Sequence, residues 1–230
     1  MISCIMATGG RPLFLQRAVK YFLRQDISIE TEIVIVEDDP PATWEKMRAF
    51  DGGRVRHFLV RPMSMGAKLN YAAEQARGDV LVKLDDDDYY AANFLRHAVA
   101  GLDETDNVVC WSRYLTLFLD DMKLRECDRL AGGTFCFNRR LWERTPFRDL
   151  SQAVDRAFLE DARVLVSEVI DAPESYIMIR HGKNTWASVD GWYREHTEWR
   201  RSIADVMTDP LDREFYAHYA DLANGLEVAC

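Results

Sequence analysis

Gly78-Asp79-Val80-Leu81-Val82-Lys83-Leu84-Asp85-Asp86-Asp87-Asp88-Tyr89-Tyr90 is an apolar run that stops in four consecutive aspartates. Carboxylates packed this tightly repel one another, and some hold protons unless something positive sits among them. A divalent cation is the simplest such partner, because hard cations take carboxylate oxygens. In extended chain Asp85 and Asp87 share a side, and a turn after the strand can also aim both at one ion. Asp88 is free to orient water or cap the next helix. An exposed acidic turn is the plainer reading. An EF-hand loop is excluded, since Tyr90 and Arg96 stand where that loop needs glycine and glutamate.

Upstream, strand-like and helix-like segments alternate. Ile2 to Ala7 reads as a first strand and Thr8-Gly9-Gly10-Arg11-Pro12 as a tight turn, with Pro12 suited to a first helical turn. Leu13, Phe14, Ala18, Val19, Phe22 and Leu23 then recur at helical spacing. Glu32 to Val36 is a second strand, apolar on both faces as in a sheet covered on both sides. Glu37-Asp38-Asp39 ends it, with Asp39 placed to cap a helix that carries Trp44 and Met47. Val55 to Val60 is a third strand, and Gly66 to Arg77 a helix stopped by Gly78. This order predicts an α/β fold with a mostly parallel sheet. Ligands then bind beyond the carboxyl ends of the strands, where Thr8, Glu37 to Asp39, Arg61 and Asp85 to Asp88 all fall.

Downstream the pattern loosens. Asn93 to Leu102 reads as a helix, Asn107 to Phe118 as one strand entering a hairpin, and Gly132-Gly133 as a turn feeding a short strand. Leu150 to Val166 reads as one helix with Val154, Phe158 and Leu165 inward, and Ser175 to Ile179 as a strand. Trp192 to Met207 and Leu211 to Leu226 read as two closing helices. The expected organisation is one main domain over 1–190, with a regular first half 1–100 and a looser second half 101–190, and a helical extension over 191–230.

Bulk properties narrow the classes. The 29 basic and 38 acidic residues give a net charge of −9, against a general nucleic-acid binder. The cysteines are odd in number and have no CxxC spacing, so neither a disulfide framework nor a zinc ribbon fits; Cys4 and Cys110 read as core. No apolar stretch is long enough for a membrane span, and the N-terminus reads as a strand, not a signal peptide. The expected location is cytoplasmic, and peripheral contact with a membrane-bound acceptor stays compatible.

Lys68 sits in the first turn of a helix, where a cation opposes the dipole, so it has another task, such as meeting a diphosphate. The acidic residues of interest after Gly132-Gly133 are Asp149, Asp155, Glu160 and Asp161. Asp155 and Asp161 lie about 600° apart around a helix and point to distinct sides. Arg180-His181-Gly182-Lys183 makes a local positive patch, in which His181 is either a metal ligand or a hydrogen-bonded loop residue. Trp186, Trp192 and Trp199 are candidates for an acceptor groove, with Trp199 also readable as core.

The segments Ile5 to Pro12, Ile33 to Asp39, Gly66 to Asn70 and Gly78 to Asp88, in this order and with these gaps, resemble family 2 of the GT-A-type nucleotide-sugar glycosyltransferases. The resemblance implies a GT-A-like fold and transfer, with inversion, of a sugar from a UDP- or GDP-linked donor to a saccharide or glycoconjugate hydroxyl, with Mn²⁺ or Mg²⁺. It implies nucleoside contacts from Thr8, Arg11, Glu37 and Asp38, and diphosphate contacts from Lys68 and Arg180. Asp85 with Asp86 would face ribose or sugar, and Asp87 with His181 would bind the metal. Asp155 would be the base, although Val154 stands where the family has glutamate, and the intact pair Glu160-Asp161 competes. A sugar nucleotidyltransferase and a non-catalytic carbohydrate- or metal-binding module are the alternatives.

Overall fold

The computed structural model describes residues 1–38, 53–104, 106–182, 184–185, 199 and 201–223. The expected helix after Asp39, with Trp44 and Met47, lies outside them, as do Lys183, Trp186, Trp192 and Cys230.

The first half follows the alternation expected from its sequence. Strands β1 (Ile2–Thr8) and β2 (Thr31–Glu37) are buried along their whole length. They run parallel, with β3 (Val55–Leu59) beyond β2 and β4 (Val80–Lys83) on the other side of β1. Register fixes the site. Thr8 pairs with Glu37 and Ile5 with Lys83, so the aspartates leave β4 level with the end of β1.

Helix α1 (Pro12–Leu23) starts at proline as expected. Leu13, expected inward, is 47% exposed, and Leu15 and Tyr21 are buried instead. Helix α2 (Met65–Gln75) ends before Gly78, with Ala76 as its last cap. Gly78 serves a different need: a Cβ there would lie 2.6 Å from the Met1 carbonyl oxygen, so only glycine lets the chain pass β1 so closely.

The second half departs further from expectation. Beyond the two-residue strand β5 (Tyr89–Tyr90) and helix α3 (Phe94–Ala100), the run Asn107 to Phe118 is two strands in two different sheets. β6 (Asn107–Trp111) joins the main sheet, and β7 (Tyr114–Phe118) pairs with β8 (Lys123–Cys127) as a hairpin. After the 3₁₀ turn Gly132–Thr134 comes β9 (Cys136–Asn138), antiparallel between β4 and β6, and then α4 (Arg139–Arg144). The expected helix over 150–166 is α5 (Val154–Ala162) followed by strand β10 (Leu165–Val169). Arg163, at φ 52°, turns the chain out of the helix, and Leu165 is 75% exposed at the sheet edge. Strand β11 (Tyr176–Arg180) precedes the short α6 (Ile203–Val206) and α7 (Pro210–Ala223).

The main sheet has the order β10-β6-β9-β4-β1-β2-β3 and is parallel except at β9; the smaller sheet is β5-β11-β7-β8. Helices α1 and α3 help cover one face, and α2, α4 and α5 the other, each over its own apolar cluster. Cys4, Cys110, Cys127 and Cys136 are buried free thiols, as Cys4 and Cys110 were expected to be. Among the described residues, no helix is long and apolar enough to cross a membrane.

Candidate active site

The four aspartates turn in four directions. Asp88 faces inward, accepting from the Tyr176 hydroxyl at 2.5 Å and the Ile179 amide at 2.9 Å. It thus locks β11 of the small sheet to the end of β4, and caps no helix. Burial first, then the charges of Asp87 and Asp85, push its carboxyl well above the usual range. Asp86 is also buried; it accepts from the Thr8 hydroxyl at 2.5 Å and lies 2.6 Å from the Arg11 guanidinium. Burial pushes its carboxyl up to about 7 despite Arg11.

Asp87 is met by Arg11, by His181 Nε2 at 3.1 Å and by Asn184 Nδ2 at 3.3 Å. These donors outweigh its burial and hold its carboxyl below the usual range, His181 contributing most and Arg11 next. Asp85 points into a cavity of about 550 Å³ and takes the Lys83 ammonium at 2.7 Å.

Lys83 is the residue that sequence reasoning passed over. It is the last residue of β4, 3% exposed, and its Nζ also lies 3.2 Å from Asp155 Oδ1 and donates to the Gly132 carbonyl at 3.2 Å. Burial alone would lower its pKa; Asp155 and Asp85 outweigh that and raise it. The signal was present, because a lone lysine in an otherwise apolar strand needs a buried partner. Gly132 makes room for this arrangement, since any Cβ there would land on the Asp155 carboxylate.

The other acidic candidates have partners of their own. Asp161 is engaged by Arg148 and lines neither cavity of the site, while Glu160 pairs with Arg156 at the solvent side of the same cavity as Asp155. Asp149 accepts from Ser64, the N-cap of α2. Thus Asp85, Asp87 and Asp155 share one cavity wall with Arg180 and Asn184.

A second cavity, of about 610 Å³, adjoins the first and shares Arg11, Met65 and Thr185 with it. Thr8, the Gly9-Gly10 turn, Asp38 and Lys68 line it. Lys68 is buried, donating to the Thr8 carbonyl at 2.9 Å and to Asp38 at 2.8 Å. These bonds satisfy a cation placed against the helix dipole. Glu37 is fully buried, pairs with His57 on β3 at 2.9 Å and does not line either cavity. Arg61 is exposed, and Trp199 packs against the core.

The glycine-to-asparagine stretch has a structural logic of its own. A Cβ on Gly66 would run into the Arg148 carbonyl, and Asn70 accepts from Trp142 Nε1 at 2.9 Å and the Phe147 amide at 3.0 Å. Both residues therefore dock segment 142–150, which carries the chain to α5 and Asp155.

The family model "Glycosyl transferase family 2" matches residues 3–153, well over half of the chain. The chain belongs to glycosyl transferase family 2. Its GT-A-like fold is shared with solved structures. S. aureus TarS 1-349 in complex with UDP-GlcNAc aligns with TM-score 0.61 at 19% identity, over 78% of this chain and 58% of that one. The mannosyltransferase PcManGT from Pyrobaculum calidifontis, in complex with GDP-Man and Mn²⁺, aligns with TM-score 0.59 at 15% identity, over 100% of this chain and 76% of that one. GalNAc-T7 with UDP, GalNAc and Mn²⁺ aligns with TM-score 0.58 at 14% identity, over 78% of this chain and 44% of that one. The chain thus spans about 60% of the TarS 1-349 fragment. No curated protein sequence matches this family 2 chain.

Among the described residues, no group of three or more His, Cys, Asp or Glu is arranged to hold a metal ion. The donors that do converge are Asp87 and His181, with Asn184 beside them. A carboxylate and an imidazole suit Mn²⁺. A cation bound by so few protein groups takes its remaining ligands from water and substrate phosphate. The donor set therefore fits such an ion, on condition that Arg11 yields its hold on Asp87.

Proposed function

We propose that this family 2 member is an inverting, metal-assisted glycosyltransferase, moving a sugar from a UDP- or GDP-linked donor to a hydroxyl acceptor, a saccharide or glycoconjugate. The observation that carries the reading is the shared Lys83. Its ammonium touches both Asp85, the first of the four aspartates, and Asp155, from a distant helix, at one cavity. An inverting transfer needs a base for the acceptor hydroxyl opposite the leaving group, and Asp155 lines the same cavity as the donor-side aspartates.

In this reading Thr8 and Asp38 hold the nucleoside, and Glu37 supports them from beneath. Arg11, Lys68 and Arg180 meet the diphosphate, Asp85 orients ribose or sugar hydroxyls with Asp86 behind it, and Asp87 with His181 would hold Mn²⁺ or Mg²⁺. A bound cation would stabilise charge on the leaving diphosphate. Asp155 takes the proton of the acceptor hydroxyl as its oxygen bonds to the anomeric carbon. The bond from that carbon to the phosphate oxygen breaks, and its electron pair leaves with the diphosphate. Residues 1–100 supply most of the donor contacts, joined by Arg180 and His181, and the rest of 101–190 faces the acceptor.

Support for the donor class comes from TarS, solved with UDP-GlcNAc, and from PcManGT, solved with GDP-Man and Mn²⁺. A nucleotidyltransferase would want a long, basic, glycine-rich loop after β1; here the turn is short and its Arg11 is committed to Asp86 and Asp87. The test is nucleotide release from a panel of UDP- and GDP-sugars, with Mn²⁺ or Mg²⁺, without and then with saccharide acceptors. Acceptor-stimulated release of UDP or GDP is expected. Release of pyrophosphate from a nucleoside triphosphate and sugar phosphate would point to the nucleotidyltransferase instead.

A further inference from the structure

The C-terminal helix α7 lies outside the segment matched by the family model, yet it reaches the donor cavity. It docks on α1 through contacts whose spacing on both helices describes one antiparallel seam. Asp212, fully buried, takes Arg17 at 2.9 Å and also Arg24. One turn on, the Tyr216 hydroxyl meets that of Tyr21 at 3.1 Å. At the far end Tyr219 packs on Phe14, ring centroids 4.4 Å apart, with His181 at 5.8 Å. Positions 212, 216 and 219 of α7 thus meet Arg24, the C-cap of α1, and then positions 21 and 14 within it, which carries Tyr219 to the N-terminus of α1. There it forms a wall of the cavity that also holds Thr8, Arg11, Asp38 and Lys68.

We propose that Tyr219 is a donor-binding residue, its phenol donating a hydrogen bond to the diphosphate, and that α7 is thereby part of the nucleotide site. This rests on the donor-site reading above. The phenol shares the second cavity with Arg11, Asp38 and Lys68, and its ring lies 5.8 Å from that of His181, one of the two metal-ligand candidates. A neutral donor there adds a hydrogen bond to the attraction of the cationic side chains. The ring is held by Phe14 and His181, so little rotamer freedom is lost when the diphosphate arrives.

The test is calorimetry of UDP, GDP, UMP and GMP, with Mn²⁺, on wild type, Tyr219→Phe and Tyr216→Phe. Tyr219→Phe keeps the ring packing and removes only the hydroxyl. The expected result is a loss of about tenfold in diphosphate affinity, the scale of one hydrogen bond to a charged group, with monophosphate affinity and the ligand-free melting temperature unchanged. Tyr216→Phe, which breaks the seam's hydroxyl pair away from the cavity, is expected to leave all four affinities as they are. Wild-type diphosphate affinity in Tyr219→Phe, or an equal loss for mono- and diphosphates, overturns the proposal alone. A wild-type protein that binds none of the four nucleotides overturns the donor-site reading and this proposal with it.

Discussion

At the scale of single residues the proposed chemistry rests on Asp155 and Lys83. Asp155→Asn preserves shape but cannot take a proton. The expected loss of transfer rate is about 10²–10⁴-fold, with nucleotide affinity kept. Glu160→Gln and Asp161→Asn, whose carboxylates are paired with Arg156 and Arg148, are expected to stay within a few-fold of wild type; steady-state rates with one donor and acceptor check all three. Lys83→Met leaves Asp85 and Asp155 facing each other without their common cation. Breaking a fully buried pair costs about 3–5 kcal/mol. Here the two carboxylates are 33% and 34% exposed, so water relieves part of that. A loss of about 1–3 kcal/mol in urea unfolding is expected, together with a fall in transfer rate. An unchanged midpoint would mean the lysine is not holding the two together. Asp85 to Asp88 and Lys68 stood out in the sequence because like charges in a row and a cation at a helix start contradict local electrostatics, whereas Asp155 was singled out through the family resemblance. Lys83 stood in plain view, but its partner lies on a helix that no local pattern links to β4.

At the scale of elements, the parts whose apolar spacing is long and regular were readable: β1, α1, β2, α2 and β4. The run 150–166 was not. Its strand β10 is five residues with outward Leu165, and a short apolar run fits a helix as well as a strand. The break at Arg163 uses a left-handed residue other than glycine, which sequence rules do not flag. The junction of α2 with segment 142–150 gives the sharpest prediction here. Gly66→Ala puts a methyl group on the Arg148 backbone carbonyl, which no side-chain rotation relieves. A destabilisation of about 1–3 kcal/mol, the usual scale of overpacking, is expected in thermal or urea unfolding. Because the same segment leads to α5, the remaining folded protein is expected to lose transfer rate before it loses nucleotide affinity.

For the whole molecule, alternation of strands and helices made the parallel sheet readable, and the family resemblance extended it to a donor site at the strand ends. The antiparallel insertion of β9 between β4 and β6, and the small sheet built on β11, are pairings between distant segments and left no local trace. They are nevertheless what completes the site, because β9 follows the glycine turn beneath Asp155 and β11 delivers Arg180 and His181. The central claim is that this convergence makes a cation-assisted nucleotide-diphosphate site at Asp87. Isothermal calorimetry of UDP and GDP, with Mn²⁺ and then with a chelator, on wild type and Asp87→Asn, tests it most directly. Wild type is expected to bind at least one diphosphate, about tenfold or more tighter with Mn²⁺, and Asp87→Asn is expected to lose that Mn²⁺ enhancement. Equal affinity with Mn²⁺ and chelator, or an enhancement that survives Asp87→Asn, would contradict the claim.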